Sequence, residues 1–258
     1  MFLIATKSIV LAYRKLIATR SALPLLVIVF GCLLAAIYAF VRVREATIPQ
    51  IVSTSSLLLA IPALFFFLQT LSINYVSSDG PTLIRRSIYQ CWKPAVATIP
   101  AIALIIGVWF LLNKLQTRFG IGPGAGDFLF KANKRLTILT ATRFALIGVI
   151  GPLMLVRVWV ASSQVGLLAM IRCSRQLLAS AFSSESVLTY VLGSIVFLAI
   201  PYLLINKPVS TTRPWLELTV LGLKLSISAL LIAVGWTATV GALTLAYNRS
   251  TADLEQAS

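Results

Sequence analysis

Residues able to do chemistry are scarce in this chain. Among 258 residues there is no His, and only seven Asp or Glu are spread along the sequence. Serine or cysteine triads, His-bearing zinc sites and His-ligated haem or chlorophyll all need an imidazole, so each is excluded. Metal-assisted or general-base chemistry without His calls for clustered carboxylates, and the scattered acids provide no cluster. Cys32, Cys91 and Cys173 are far apart and form no CxxC pair, so they read as small apolar residues. No catalytic residue, cofactor site or metal site is expected, and the chain is not expected to be an enzyme.

One stretch has the composition of a phosphate loop, Gly120-Ile121-Gly122-Pro123-Gly124-Ala125-Gly126. A Walker loop ends in Gly-Lys-Ser/Thr and a dinucleotide fingerprint follows a strand; neither condition holds, so a flexible connection is expected. The remaining candidates are charges inside apolar runs, which are costly in a membrane and therefore functional candidates by default. Glu217 and Lys224 share a helix face about 10 Å apart, too far for a direct pair. Lys224 lies nine residues into its apolar run, so either a buried contact or snorkelling is open to it. Arg143 and Arg157 flank another run, close enough to its ends to snorkel.

Those charges must be positioned by membrane helices. Hydrophobic residues make up 59% of the chain and charged residues 11%, with 22 Lys and Arg giving a formal charge of +15. A soluble chain of this size could not hide so much apolar side chain. Runs of about 20 apolar residues fall at Ala22–Val41, Ile51–Val76, Ala95–Leu112, Leu139–Ser162, Val187–Ile205 and Trp215–Tyr247. The expected fold is all-α: a polytopic integral membrane protein with six transmembrane helices. The last run exceeds a bilayer's thickness, so it tilts or projects. Pro62, Pro152 and Pro201 are internal and should kink or unwind their helices. The first run continues past Cys32 to Val41, too long for the apolar region of a cleaved signal peptide, and is kept as a span.

Three basic amphipathic stretches run into the odd-numbered spans: Thr6–Arg20, Thr82–Lys93 and Met170–Phe182. In the second, Ile84, Ile88, Cys91 and Trp92 share one face while Arg86, Gln90 and Lys93 share another. Each stretch is expected to lie in the headgroup plane, with Arg14, Lys15, Arg85, Arg86, Lys93, Arg172 and Arg175 on anionic lipid headgroups. Lipid rather than nucleic acid is the expected counter-charge. Ser8, Ser87 and Ser174 recur about 80–87 residues apart in these stretches. That spacing predicts one transmembrane domain with a pseudo-threefold repeat, units of about 1–78, 79–165 and 166–247, and a tail, 248–258. Basic residues divide almost equally between the two faces. Four of them, Lys7, Arg14, Lys15 and Arg20, precede the first span and two, Arg42 and Arg44, follow it, which favours both termini inside.

Arg86-Ser87-Ile88-Tyr89-Gln90-Cys91-Trp92-Lys93 and Ile171-Arg172-Cys173-Ser174-Arg175-Gln176-Leu177-Leu178 place a Ser, and in the first an aromatic, on a basic interfacial helix. In this the chain resembles six-helix bacterial membrane proteins of the YciC-like type and the membrane domain associated with glycerophosphodiester phosphodiesterases. The resemblance covers most of the chain through its architecture. It implies a bacterial plasma (inner) membrane location and an accessory role, without an activity. The expected function is thus a non-catalytic structural or accessory component of a membrane assembly, or a lipid-interacting protein, with other membrane subunits as partners. The alternative is a permease subunit of an ABC-type exporter, for which a separate chain would have to bring the ATPase.

Overall fold

The computed structural model describes residues 2–19, 21–43, 47–78, 80–118, 134–164, 166, 183–208 and 213–256. Among them the chain is helical and forms no strand. The helices are α1 (Phe2–Ala18), α2 (Ala22–Arg42), α3 (Ile48–Asn74), α4 (Gly80–Gln90), α5 (Trp92–Arg118), α6 (Lys134–Arg143), α7 (Gly151–Gln164), α8 (Ser184–Ser194), α9 (Ile200–Asn206) and α10 (Pro214–Gln256). Six stretches are long and apolar enough to cross a membrane: Ala22–Arg42, Ile48–Asn74, Trp92–Leu115, Thr140–Gln164, Ser184–Asn206 and Trp215–Arg249. Their bounds track the apolar runs to within a few residues. At 43 residues, α10 is roughly 65 Å long, about twice the hydrocarbon thickness.

The fourth and fifth spans are each interrupted by a π-helical stretch, Phe144–Ile150 joining α6 to α7 and Ile195–Ala199 joining α8 to α9. Pro152 and Pro201 follow immediately. A proline ring collides with the carbonyl four residues back and cannot donate to it. A wider turn relieves both problems: Gly151 N–H donates to the Leu146 carbonyl, and Ile200 N–H to that of Ile195, five residues back.

The spans pack as three antiparallel hairpins, α2 with α3, α5 with α7, and α8–α9 with α10. The second member of each hairpin, α3, α7 or α10, touches the other two. The first members sit outside, and each also touches the second member of a different hairpin: α2 on α10, α5 on α3, α8 on α7. Burial follows this division. Residues 68–76, 156–163 and 237–244 are buried all round the inner helices, whereas α2 buries only Ala22, Leu26, Val29 and Leu33 along one face. All three enclosed stretches lie at the end of the bundle where α1 and α4 pack, and that is where the core sits. Ile73, Leu153, Val156, Trp159, Val160, Tyr190, Val240 and Leu243 form its centre. Towards the other end the helices expose large apolar side chains such as Leu59, Leu218 and Leu223. In lipid such side chains need no protein partner.

The interfacial segments α1 and α4 are helices close to the expected ranges. α1 buries Ala5, Ser8, Ala12 and Leu16 against α8 and α10, and α4 buries Leu83 and Ser87 against α3. Ile84, Ile88 and Trp92 point away from the bundle, as an interfacial apolar face must. The stretch 170–182, with Arg172 and Arg175, lies outside the described residues, as do the glycine-rich connection 120–126 and Lys131.

Candidate functional site

Polar side chains concentrate where the three inner helices are enclosed. In α3, Gln69, Thr70, Ser72 and Asn74 are all buried within two turns, and each is satisfied. Gln69 Oε1 accepts from Trp236 Nε1 at 2.8 Å, and the Thr70 hydroxyl donates to the Phe66 carbonyl. Ser72 bonds the Leu68 carbonyl and shares a 3.1 Å hydrogen bond with Thr237, while Asn74 Nδ2 donates to Gln90 Oε1 at 3.2 Å. A buried polar group without a partner costs about 1–3 kcal/mol, so these pairs fix how α3 meets α10 and α4. Sequence reasoning passed over this network. Its signal was present as four polar residues ending an apolar run.

The same end is tied to α1. Tyr75, 1% exposed, donates to the Ala12 carbonyl at 3.3 Å. Lys15 Nζ donates to the Val76 carbonyl at 2.9 Å, just past the C-terminus of α3. Lys15, expected on headgroups, is exposed, and its ammonium also meets a carbonyl at a helix end, where a cation is favoured. Burial raises the phenol pKa of Tyr75 and Tyr13 above the ordinary range, so both are neutral at physiological pH.

Among the described residues the Tyr13, Ser163 and Ser228 hydroxyls and Arg157 have buried polar atoms without a hydrogen-bond partner, and of these Arg157 is the charged group. Arg157 projects from α7 into the core and is 3% exposed. One of its terminal nitrogens, Nη2, donates to the Ser186 hydroxyl. Its Nε and Nη1 are buried and without a hydrogen-bond partner among the described residues. Ser186 is the third residue of α8, whose N-cap is Ser183. The Ser183 hydroxyl accepts from the Ser186 N–H at 3.3 Å and lies 2.7 Å from the Ser186 hydroxyl. Arg157 was expected to snorkel from the end of its span. Burial corrects this, because its face of α7 is turned toward α8 rather than along lipid. Its neighbour Trp159 donates to Thr98 Oγ1 at 2.7 Å and meets Phe65 and Phe66 edge-on.

The other candidates remain separate. Arg143 lies over the Trp109 ring at 6.0 Å. Glu217 is exposed in the first turn of α10, where a helix N-terminus favours a carboxylate. Lys224 is half-buried, and its Nζ donates to the Lys207 carbonyl at 2.5 Å, the C-cap of α9. The structure brings none of these three to Arg157. Lys224→Leu removes one cap and lightens the insertion cost of a charge, so it is expected to change stability by less than about 1 kcal/mol. Melting of the purified variant checks this. Arg85 lies over the Tyr89 ring at 5.9 Å, Arg86 Nη1 donates to Ser78 Oγ at 3.1 Å, and Arg14 is exposed.

An apolar cleft of about 200 Å³ opens between α2, α3 and α10, lined by Phe30, Leu33, Phe65, Leu68 and Trp236. Its polar groups, Gln69 and the Trp236 indole, are paired with each other, so it supplies no chemistry. Among the described residues no group of three or more His, Cys, Asp or Glu could hold a metal ion. Comparison with protein-family models, with curated proteins and with solved structures gives no match for this chain.

Proposed function

We propose that this chain is a non-catalytic integral membrane protein of a bacterial plasma membrane, acting through lipids and partner helices as an accessory component of a membrane assembly. The observation that carries this reading is the division between inner and outer spans. The three inner helices enclose a hydrogen-bonded core, while the outer spans bury one face and leave the other apolar, as with Ile99, 70% exposed, and Ile28, 62% exposed. Faces of that kind suit lipid or the helices of another subunit. The basic helices α1 and α4, seated at one end, add a surface for anionic headgroups. The cyclic packing of three hairpins and the buried Ser8 and Ser87 support the repeat of three units, each an interfacial helix followed by two spans.

Native mass spectrometry of a gentle detergent extract tests the reading. Retained phospholipid and a fixed stoichiometry with other membrane subunits are expected, without phospholipid or nucleotide hydrolysis by the purified chain. Stoichiometric recovery with a nucleotide-binding subunit would favour the exporter permease instead. Hydrolysis abolished by replacing Glu217 or Asp127 would overturn the non-catalytic assignment.

A further inference from the structure

Arg157 is buried with part of its guanidinium lacking hydrogen bonds. A buried guanidinium is ordinarily paired and hydrogen-bonded on its several N–H groups. Here one hydroxyl, that of Ser186, accepts from Nη2, while Nε and Nη1 face no acceptor among the described residues. Glu185, in the first turn of α8, is near enough to attract the guanidinium electrostatically but hydrogen-bonds neither atom. The group that Arg157 does reach adds no negative charge. Ser186 belongs to the first turn of an 11-residue helix, whose N-terminus carries a partial positive charge of its own. A guanidinium with free N–H groups and a helix N-terminus thus meet in a buried place, with Glu185 beside them.

We infer that Arg157, with the Ser183–Ser186 turn that opens α8, binds a phosphate group. Helix N-termini and arginine are the two protein features best suited to phosphate, the first through oriented N–H groups and the second through charge-assisted hydrogen bonds. The Ser183 and Ser186 hydroxyls share one hydrogen bond at this turn, which a ligand oxygen can replace. Location favours the phosphodiester of an anionic phospholipid, because Arg157 lies seven residues from the end of α7 at Gln164, roughly 10 Å along the helix axis, on the side of the bundle where α1 and α4 pack. Free phosphate shares the chemistry. This inference deepens the lipid-binding reading and rests on it.

The experiment is thermal melting of the full chain in uncharged maltoside detergent, with three arms: no addition, inorganic phosphate, and phosphatidylglycerol. The variants are Arg157→Gln, Arg157→Lys, Ser183→Ala with Ser186→Ala, a basic-helix variant, Arg85→Gln with Arg86→Gln, and a surface control at the exposed Arg42, Arg42→Gln. Phosphatidylglycerol is expected to raise the melting temperature of the parent and of the surface control. The lipid concentration needed should rise at least about tenfold in Arg157→Gln and in the double serine variant, and less in Arg157→Lys. Stabilisation by inorganic phosphate alone would assign the site to the free anion. Stabilisation that is the same in Arg157→Gln and the double serine variant as in the parent would overturn the site. If it then disappears in the basic-helix variant, lipid binding through the basic helices survives; its absence everywhere removes the lipid reading as well. Should Arg157→Gln fail to fold, the parent, the double serine variant and the surface control still decide the matter.

Discussion

Replacing Gly241 by valine is expected to destabilise the bundle by about 3 kcal/mol, the upper range for overpacking a filled core. Gly241 sits in the enclosed stretch of α10 directly against the ring of Tyr75. A Cβ at this position would come within 2.6 Å of Tyr75 Cζ and 2.9 Å of Cε1. The ring cannot give way cheaply, because it is fully enclosed and its hydroxyl is bonded to the Ala12 carbonyl. Moving it would separate α1 from α3. Gly31 supplies the control, since a Cβ there meets nothing within 4 Å, so Gly31→Val should melt near the parent. Thermal unfolding of both variants in one detergent checks the pair, and equal melting would show that α10 does not approach α3 this closely.

Trp159→Ala is expected to cost about 3–5 kcal/mol, the usual range for emptying a buried aromatic site. The indole lies among Phe65, Phe66, Ile73 and Val240 at the meeting of α3, α7 and α10. Trp159→Phe should cost less, about 1–2 kcal/mol, because it keeps most of the ring contacts and gives up the bond to Thr98. Thr98 keeps its own bond to the Pro94 carbonyl at 2.6 Å, so no unsatisfied donor remains. Denaturant unfolding of the two variants should therefore rank alanine well below phenylalanine. Equal destabilisation by both variants would mean that the indole hydrogen bond, rather than the ring, holds α7 to α5.

Span positions were legible in the sequence because bilayer thickness imposes a run length that soluble helices do not obey, and all six runs became helices within a few residues of their expected ends. The helices α1 and α4 were legible for a related reason, since in α4 a polar face with Arg86 and Gln90 beside an apolar one with Ile84 and Ile88 is the period of an amphipathic helix. Inner and outer spans could not be told apart by hydropathy. Lipid and protein interior are similarly apolar, so α2 and α3 look alike although one buries a stripe and the other is enclosed over its last two turns. What separates them is polar and small residues: Gln69, Ser72 and Asn74 in α3, Arg157, Ser162 and Ser163 in α7, Thr237, Thr239 and Gly241 in α10. Arg157 was recognised as an intramembrane charge but assigned the wrong surroundings. Distance from a span end permits snorkelling, and only the direction of the helix face, which depends on the neighbouring helices, decides whether it happens. Ser8 and Ser87 turned inward for the same reason, so labels on these helices must be placed at their exposed neighbours.

The central claim, six spans with every basic interfacial segment on one cytoplasmic face, is tested most directly by labelling single cysteines with a membrane-impermeant thiol reagent. Cys32, Cys91 and Cys173 are first replaced by serine, and single cysteines are then placed at Lys7, Arg86, Arg172, Arg42 and Lys207. In sealed right-side-out vesicles Arg42 and Lys207 variants should label, while the Lys7, Arg86 and Arg172 variants should label only in inverted vesicles. Labelling of Lys7, Arg86 or Arg172 variants from the same side as Arg42 would contradict it.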